Sequence, residues 1–139
     1  MKGLQGVQSQ ITFLYYRQIE PVATFYEETM SFELVEDQGW AKIYRAGGTA
    51  YVGIVAGEKG FHSPQERNAV LVTLVVDDVA AWYEHLKSQG VRMLSALEHR
   101  HEIGIQCFFL QDPGGYTLEV QQFMNPRQAE IFGGADSAC

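Results

Sequence analysis

Two clusters in this sequence have residue types suited to chemistry. The first is a lone carboxylate, Glu119, set between Leu118 and Val120 in an apolar run that follows the turn Asp112-Pro113-Gly114-Gly115. Asp opening a turn, Pro at its second position and Gly where positive φ is needed is turn chemistry with a mechanism. If the run is a strand, Glu119 shares a face with Thr117 and Gln121. On a concave face such a carboxylate can act as general base, or anchor a cationic or hydrogen-bonding ligand. The competing reading is a structural Glu satisfied by Tyr15, Thr73 or a backbone amide. The second cluster is Glu98-His99-Arg100-His101-Glu102. Extended, it puts His99 and His101 on one side at a metal-like spacing, where with Glu119 they could hold a divalent metal. However, Glu98, Arg100 and Glu102 make this a charged loop, and such loops are usually solvated. No phosphate-binding glycine loop or nucleophile elbow is present. Gly47-Gly48 and Gly114-Gly115 turn between strands, and neither opens a helix.

The elements that must position these residues occur twice. Ile11 to Arg17 is β-branched and aromatic, hence a strand. Gln18 to Met30 reads as a helix, with Pro21 in its first turn and Ile19, Val22, Phe25, Tyr26 and Met30 at helical spacing. Strands follow at Phe32 to Val35, Ala41 to Arg45 and Ala50 to Ala56. After a polar stretch the order repeats. Val70 to Val76 is a strand, and Asp77 or Asp78 caps a helix carrying Val79, Trp82, Tyr83 and Leu86. Gly90 sits at its C-terminal end. Val91 to Leu94, Gln106 to Leu110 and Thr117 to Gln121 are the remaining strands. A shift of 60 residues lays Ile19 on Val79, Val22 on Trp82 and Tyr26 on Leu86. The organisation expected is a lead over 1–10, βαβββ modules over 11–56 and 69–123 joined by a linker over 57–68, and a tail over 124–139. The tail is expected to hold at most one helical turn and a frayed end. Such modules cannot easily cover their own sheets, so the expected fold is α+β, with two paired βαβββ modules forming a curved mixed sheet around a cavity.

At 139 residues the chain is expected to be one domain burying roughly two-thirds of its unfolded surface. The net charge of −7 disfavours nucleic acid and anionic membrane as partners, because both require Lys and Arg against phosphate. No run approaches the roughly 20 apolar residues of a membrane helix, and Met1 to Gln10 lacks an apolar signal core. Cys107 and Cys139 do not make a disulfide framework, so a reducing cytoplasm is expected.

The duplicated modules, Phe25-Tyr26 late in the first helix, Val76-Asp77-Asp78-Val79 opening the second, and the closing Asp112 to Glu119 together resemble the vicinal oxygen chelate superfamily. That group holds glyoxalase I, bleomycin resistance proteins, fosfomycin resistance enzymes and extradiol dioxygenases. The likeness runs from about Ile11 to Phe123. It implies four metal-ligand positions, which fall here on Ile11, on Val52 or Gly53, on Leu71 and on Glu119. Only the last is a ligand type. The closer likeness is therefore to bleomycin-resistance-like members, which bind and sequester a molecule without metal. It further implies a homodimer, no cofactor, and a small aromatic or cationic organic molecule as partner. The face holding the ligand positions would also carry Phe13 and Tyr15, Thr73 and Val75, and Thr117 and Gln121. His62 in the linker, Trp40, and Lys42 as the cation nearest the cavity complete the expected ligand contacts, with Glu119 as any catalytic base. The alternative implied is a lyase, isomerase or dioxygenase using a rearranged site for a divalent metal (Zn, Ni, Mn or Fe) at His99, His101 and Glu119, or Glu119 as base.

Overall fold

The computed structural model describes residues 4–133. The chain divides into two compact units, Met1–Pro64 and Gln65–Cys139.

The first unit runs β1 (Gln10–Tyr16), α1 (Glu20–Thr24), a single π turn (Phe25–Thr29), β2 (Glu33–Asp37), β3 (Ala41–Gly47) and β4 (Ala50–Ala56). Its four strands lie in the order β1-β4-β3-β2, with β1 and β4 parallel and the others antiparallel. The helix expected over residues 18–30 is thus split. The Met30 N–H donates to the Phe25 carbonyl at 2.9 Å, five residues back, and this wider turn lets the consecutive rings of Phe25 and Tyr26 both be buried. Tyr26 stacks on Phe32 at 5.9 Å and on Tyr44 at 6.0 Å. Val22 and Met30 are buried, as are Leu14, Val52 and Ile54, which share the Tyr44 face of the sheet. One face of the sheet is therefore the helix-packed core.

Tyr44 is buried in that core, and its hydroxyl donates to Glu27 Oε2 at 2.7 Å. Burial first, and the Glu27 carboxylate second, push the phenol far above its ordinary 10.0. A folded pKa above the unfolded one means stability that is complete below about pH 10 and lost as pH rises past it. Tyr44→Phe is expected to lose about 1 kcal/mol at neutral pH with the hydrogen bond, yet to decline less steeply than the parent at alkaline pH. Urea denaturation from about pH 8 to about pH 11 checks both effects. Parallel pH profiles for the two proteins would contradict the assignment.

The second unit runs β5 (Leu71–Val75), α2 (Val79–Ser88), β6 (Arg92–Met93), β7 (Glu98–Arg100), β8 (Ile105–Gln111), β9 (Thr117–Phe123) and α3 (Pro126–Phe132). Its sheet has the order β5-β9-β8-β6, with β7 also paired to β8 and β5 parallel to β9. Asp78 caps α2 by accepting from the Ala81 N–H at 3.1 Å, and Gly90 takes φ +73° just beyond its end. Val79 and Leu86 of α2 are buried, as are Leu118 and Val120 of β9. The Tyr83 ring meets Phe108 edge-on at 5.1 Å. The turn before β9 is held by buried Asp112, whose Oδ1 accepts from the Gly114 N–H at 3.0 Å and the Tyr116 N–H at 2.9 Å.

Two expectations are corrected here. Of the charged loop expected over 98–102, residues 98–100 form a strand, because β8 extends far enough to pair with them from Ile105 to Cys107. Residues 101 and 102 stay in the turn that follows. The tail carries about two helical turns rather than one. Asn125 caps α3 by accepting from the Arg127 N–H at 2.9 Å, Pro126 opens it, and Phe132 stacks on Phe123 at 4.7 Å. The frayed end expected from Gly134, and Cys139, lie outside the described residues. Among the described residues no helix is long and apolar enough to cross a membrane.

Candidate functional site

Each sheet packs one face on the helix that follows its first strand, and the candidate residues are sorted by this alternation. In the second sheet α3 also meets the opposite face at its end, where Phe132 stacks on Phe123. In the second unit, Thr73 lies opposite Glu119, Phe109 lies opposite it on the other side, and Gln121 lies between Val75 and Cys107. These side chains share the face turned away from α2. Glu119 is 8% exposed, and its Oε1 accepts from the Thr73 hydroxyl at 2.9 Å. No buried side-chain nitrogen or oxygen among the described residues lacks a partner.

Two residues that the sequence does not single out join this face. Cys107, fully buried, lies beside both the Arg100 guanidinium and the Glu119 carboxylate. Burial pushes its thiol up, Arg100 draws it back and Glu119 adds to the rise. Cys107 is thus held as a neutral thiol rather than a nucleophilic thiolate. Arg100 also pairs with Glu98 at 3.2 Å, but both side chains are substantially exposed, so that pair adds little to stability. The signal that could have located Arg100 is alternation. Residues 98 and 100 share the face of Cys107 once β7 is paired to β8.

In the first unit the corresponding face carries Ile11, Phe13 and Tyr15 of β1, Tyr51, Gly53 and Val55 of β4, and Ile43 and Arg45 of β3. The Phe13 ring lies across Gly53, in the space a side chain there would occupy. The linker folds back over one end. Gly60 fits against Tyr15 and Val55, where an added Cβ would come within 2.6 Å of each. His62 packs edge-on to Tyr15 at 5.4 Å and to Phe61 at 5.0 Å. Phe13 remains 42% exposed, so the surface is aromatic and open.

The expected ligand contacts separate on this geometry. Phe13, Tyr15 and His62 lie together in the first unit, and Thr73, Glu119 and Gln121 together in the second. Lys42 does not join either group. It pairs across strands with Ile54 and Asp37, on the helix side of the sheet with Tyr44. There its ammonium contacts Asp37 at 2.7 Å and holds that carboxyl below its ordinary range. The cation on the Phe13 side is Arg45, whose guanidinium donates to the Tyr51 hydroxyl at 2.6 Å and the Gly48 carbonyl at 2.9 Å, and pairs with Glu33 at 3.1 Å. Trp40 precedes β3 and is half-exposed.

The rearranged metal site is also corrected. His99 lies opposite Gln106, on the face away from Glu119, and its ring stacks on the exposed His101 at 3.6 Å. Alternation therefore parts the histidines from the carboxylate. Among the described residues no group of three or more His, Cys, Asp and Glu could hold a metal. Of the two residues expected at the second ligand position, Gly53 shares the Ile11 face and Val52 is buried on the other with Tyr44. Ile11, Gly53 and Leu71 offer no side-chain donor, and Glu119 is engaged by Thr73. One carboxylate does not fit a divalent ion that ordinarily takes about three protein ligands.

These modules define the class. The family described as the Glyoxalase/Bleomycin resistance protein/Dioxygenase superfamily matches residues 8–120, and the chain belongs to it. Among solved structures it is similar to TioX from Micromonospora sp. ML1, with 15% identity, TM-score 0.71, and coverage of 84% of this chain and 98% of that one. A glyoxalase/bleomycin resistance protein/dioxygenase from Nocardioides gives 14% identity, TM-score 0.72 and coverage of 90% and 89%. The fosfomycin resistance protein FosX from Listeria monocytogenes gives 16%, 0.69, and 91% and 98%. At these identities the likeness shows the fold. No curated protein matches the chain.

Proposed function

We propose that this chain is a metal-independent binding protein that sequesters a small aromatic or cationic organic molecule, as bleomycin-resistance-like members do. The observation that carries the reading is the donor set. Three of the four positions where the superfamily places metal ligands are Ile11, Gly53 and Leu71, and Phe13 fills the space over one of them. What the open faces offer is carboxylate, hydroxyl, amide and aromatic ring. Glu119, prepositioned by Thr73, is the polar anchor, with Gln121 beside it. Phe13 and Tyr15 supply ring surface in the first unit. Few polar groups set in apolar and aromatic surroundings is the composition of small-molecule sites. A homodimer in the cytoplasm is part of the same reading.

A thermal-shift screen on protein freed of divalent ions tests it, using small aromatic acids, amines and neutral aromatics as probes. Saturable stabilisation by at least one class is the result expected, of about 2–3 kcal/mol at a hundredfold excess over Kd. Stabilisation seen only after a divalent ion is restored would instead favour a lyase, isomerase or dioxygenase of the superfamily.

A further inference from the structure

A cavity of about 440 Å3 lies at the end of the second sheet, lined by Val75, Asp77, Trp82, Gln122, Phe123 and Phe132 among others. We propose that it binds a small organic ammonium ion without using Glu119, at the end of the sheet where Val75 and Phe123 of the Glu119 face meet α2 and α3.

The volume is in the range of roughly 300–1,000 Å3 that small-molecule sites occupy. Three rings line it. Phe123 and Phe132 are stacked at 4.7 Å and 18°, joining β9 to α3 as one wall, and the Trp82 indole is held edge-on by His85 at 6.4 Å. Among the described lining residues Asp77 is the single charge, and no Lys or Arg is present. Three rings and one carboxylate in one lining suit an organic cation, which an accessible ring face attracts through its quadrupole.

Two alternatives fit less well. An anion would need the N–H groups of the first turn of α2. The Val79 N–H is already given to Gln122 Oε1 at 3.1 Å, and the Ala81 N–H to Asp78 Oδ1 at 3.1 Å. The α3 end that lines the cavity, Phe132 and Gly133, presents the carbonyl pole of that helix. A metal cation would need about six oxygen ligands, far more than the side chains of Asp77 and Gln122 supply. A weakly hydrated ammonium needs only the rings and the charge.

The sequence holds two tryptophans, Trp40 and Trp82, so Trp40→Phe makes Trp82 the sole reporter. Titrating that protein with benzyltrimethylammonium is expected to give a saturable change in indole emission. Asp77→Asn, an exposed substitution, and Phe132→Ala are each expected to weaken binding about tenfold, while Glu119→Gln leaves it unchanged. The proposal is overturned by the absence of saturation, by affinity that survives both substitutions, or by benzyl alcohol binding as tightly as the cation. Loss of binding in Glu119→Gln would also overturn it, since the cation would then be held by Glu119, as the proposed function has it. The other failures leave the reading of Glu119 untouched.

Discussion

Gly53→Val is expected to destabilise the protein by about 1–3 kcal/mol, and Phe13→Ala in the same chain to recover most of that loss. Intrinsic preference argues the other way. Valine is favoured in strands and glycine disfavoured, by about 1 kcal/mol or less. Packing decides the sign. A Cβ at position 53 would overlap the Phe13 ring, and Gly53 lies in the middle strand pairing between β1 and β3, where the backbone cannot retreat. The ring must leave instead. Phe13 is 42% exposed, so its truncation alone should be mild, which makes the pair suitable for a double-mutant cycle. Urea denaturation of the two single variants and the double variant measures the coupling. A Gly53→Val protein as stable as the parent, or one not rescued by Phe13→Ala, would show that the ring does not depend on the missing side chain.

The second large effect is expected at Glu119, where a structural and a ligand-holding role predict opposite outcomes. Glu119→Gln keeps an oxygen that can accept from the Thr73 hydroxyl, and removes the charge from a buried position. Stability should change by less than about 1 kcal/mol, and affinity for whichever probe stabilises the parent should fall tenfold or more. Were Glu119 only a structural partner of Thr73, the affinity would stand and Thr73→Val would be the damaging change. Denaturation and calorimetric titration of the same three proteins separate the cases.

Much of this arrangement is legible in the sequence, and what is not has physical reasons. The duplicated order of elements and a cap at Asp77 or Asp78 follow from periodicity and capping chemistry read within single segments, whereas the choice of Thr73 among the partners open to Glu119 needs the pairing of β5 with β9. Lys42 shows the limit. Which face of β3 carries the site depends on its register with β4, and register is a property of two strands, not one. Shifted by one residue, Lys42 gives way to Arg45. The same holds for His99 and Arg100, whose faces are settled only when β7 pairs with β8. The π turn at Phe25–Thr29 was hidden because the apolar spacing of a helix barely changes when one hydrogen bond reaches five residues instead of four. The tail helix was readable. Asn125-Pro126 is a cap followed by a first-turn proline, and its weight is underestimated when the residues after it lack a strong apolar stripe.

The central claim is that the open strand faces of this superfamily member bind their ligand without a metal ion. It is tested most directly by titrating the best stabilising probe by calorimetry into protein as purified, after exhaustive chelation, and after zinc is returned. One unchanged affinity across the three samples is predicted, with Glu119→Gln weaker in all of them. Affinity that vanishes on chelation and returns with zinc would contradict it.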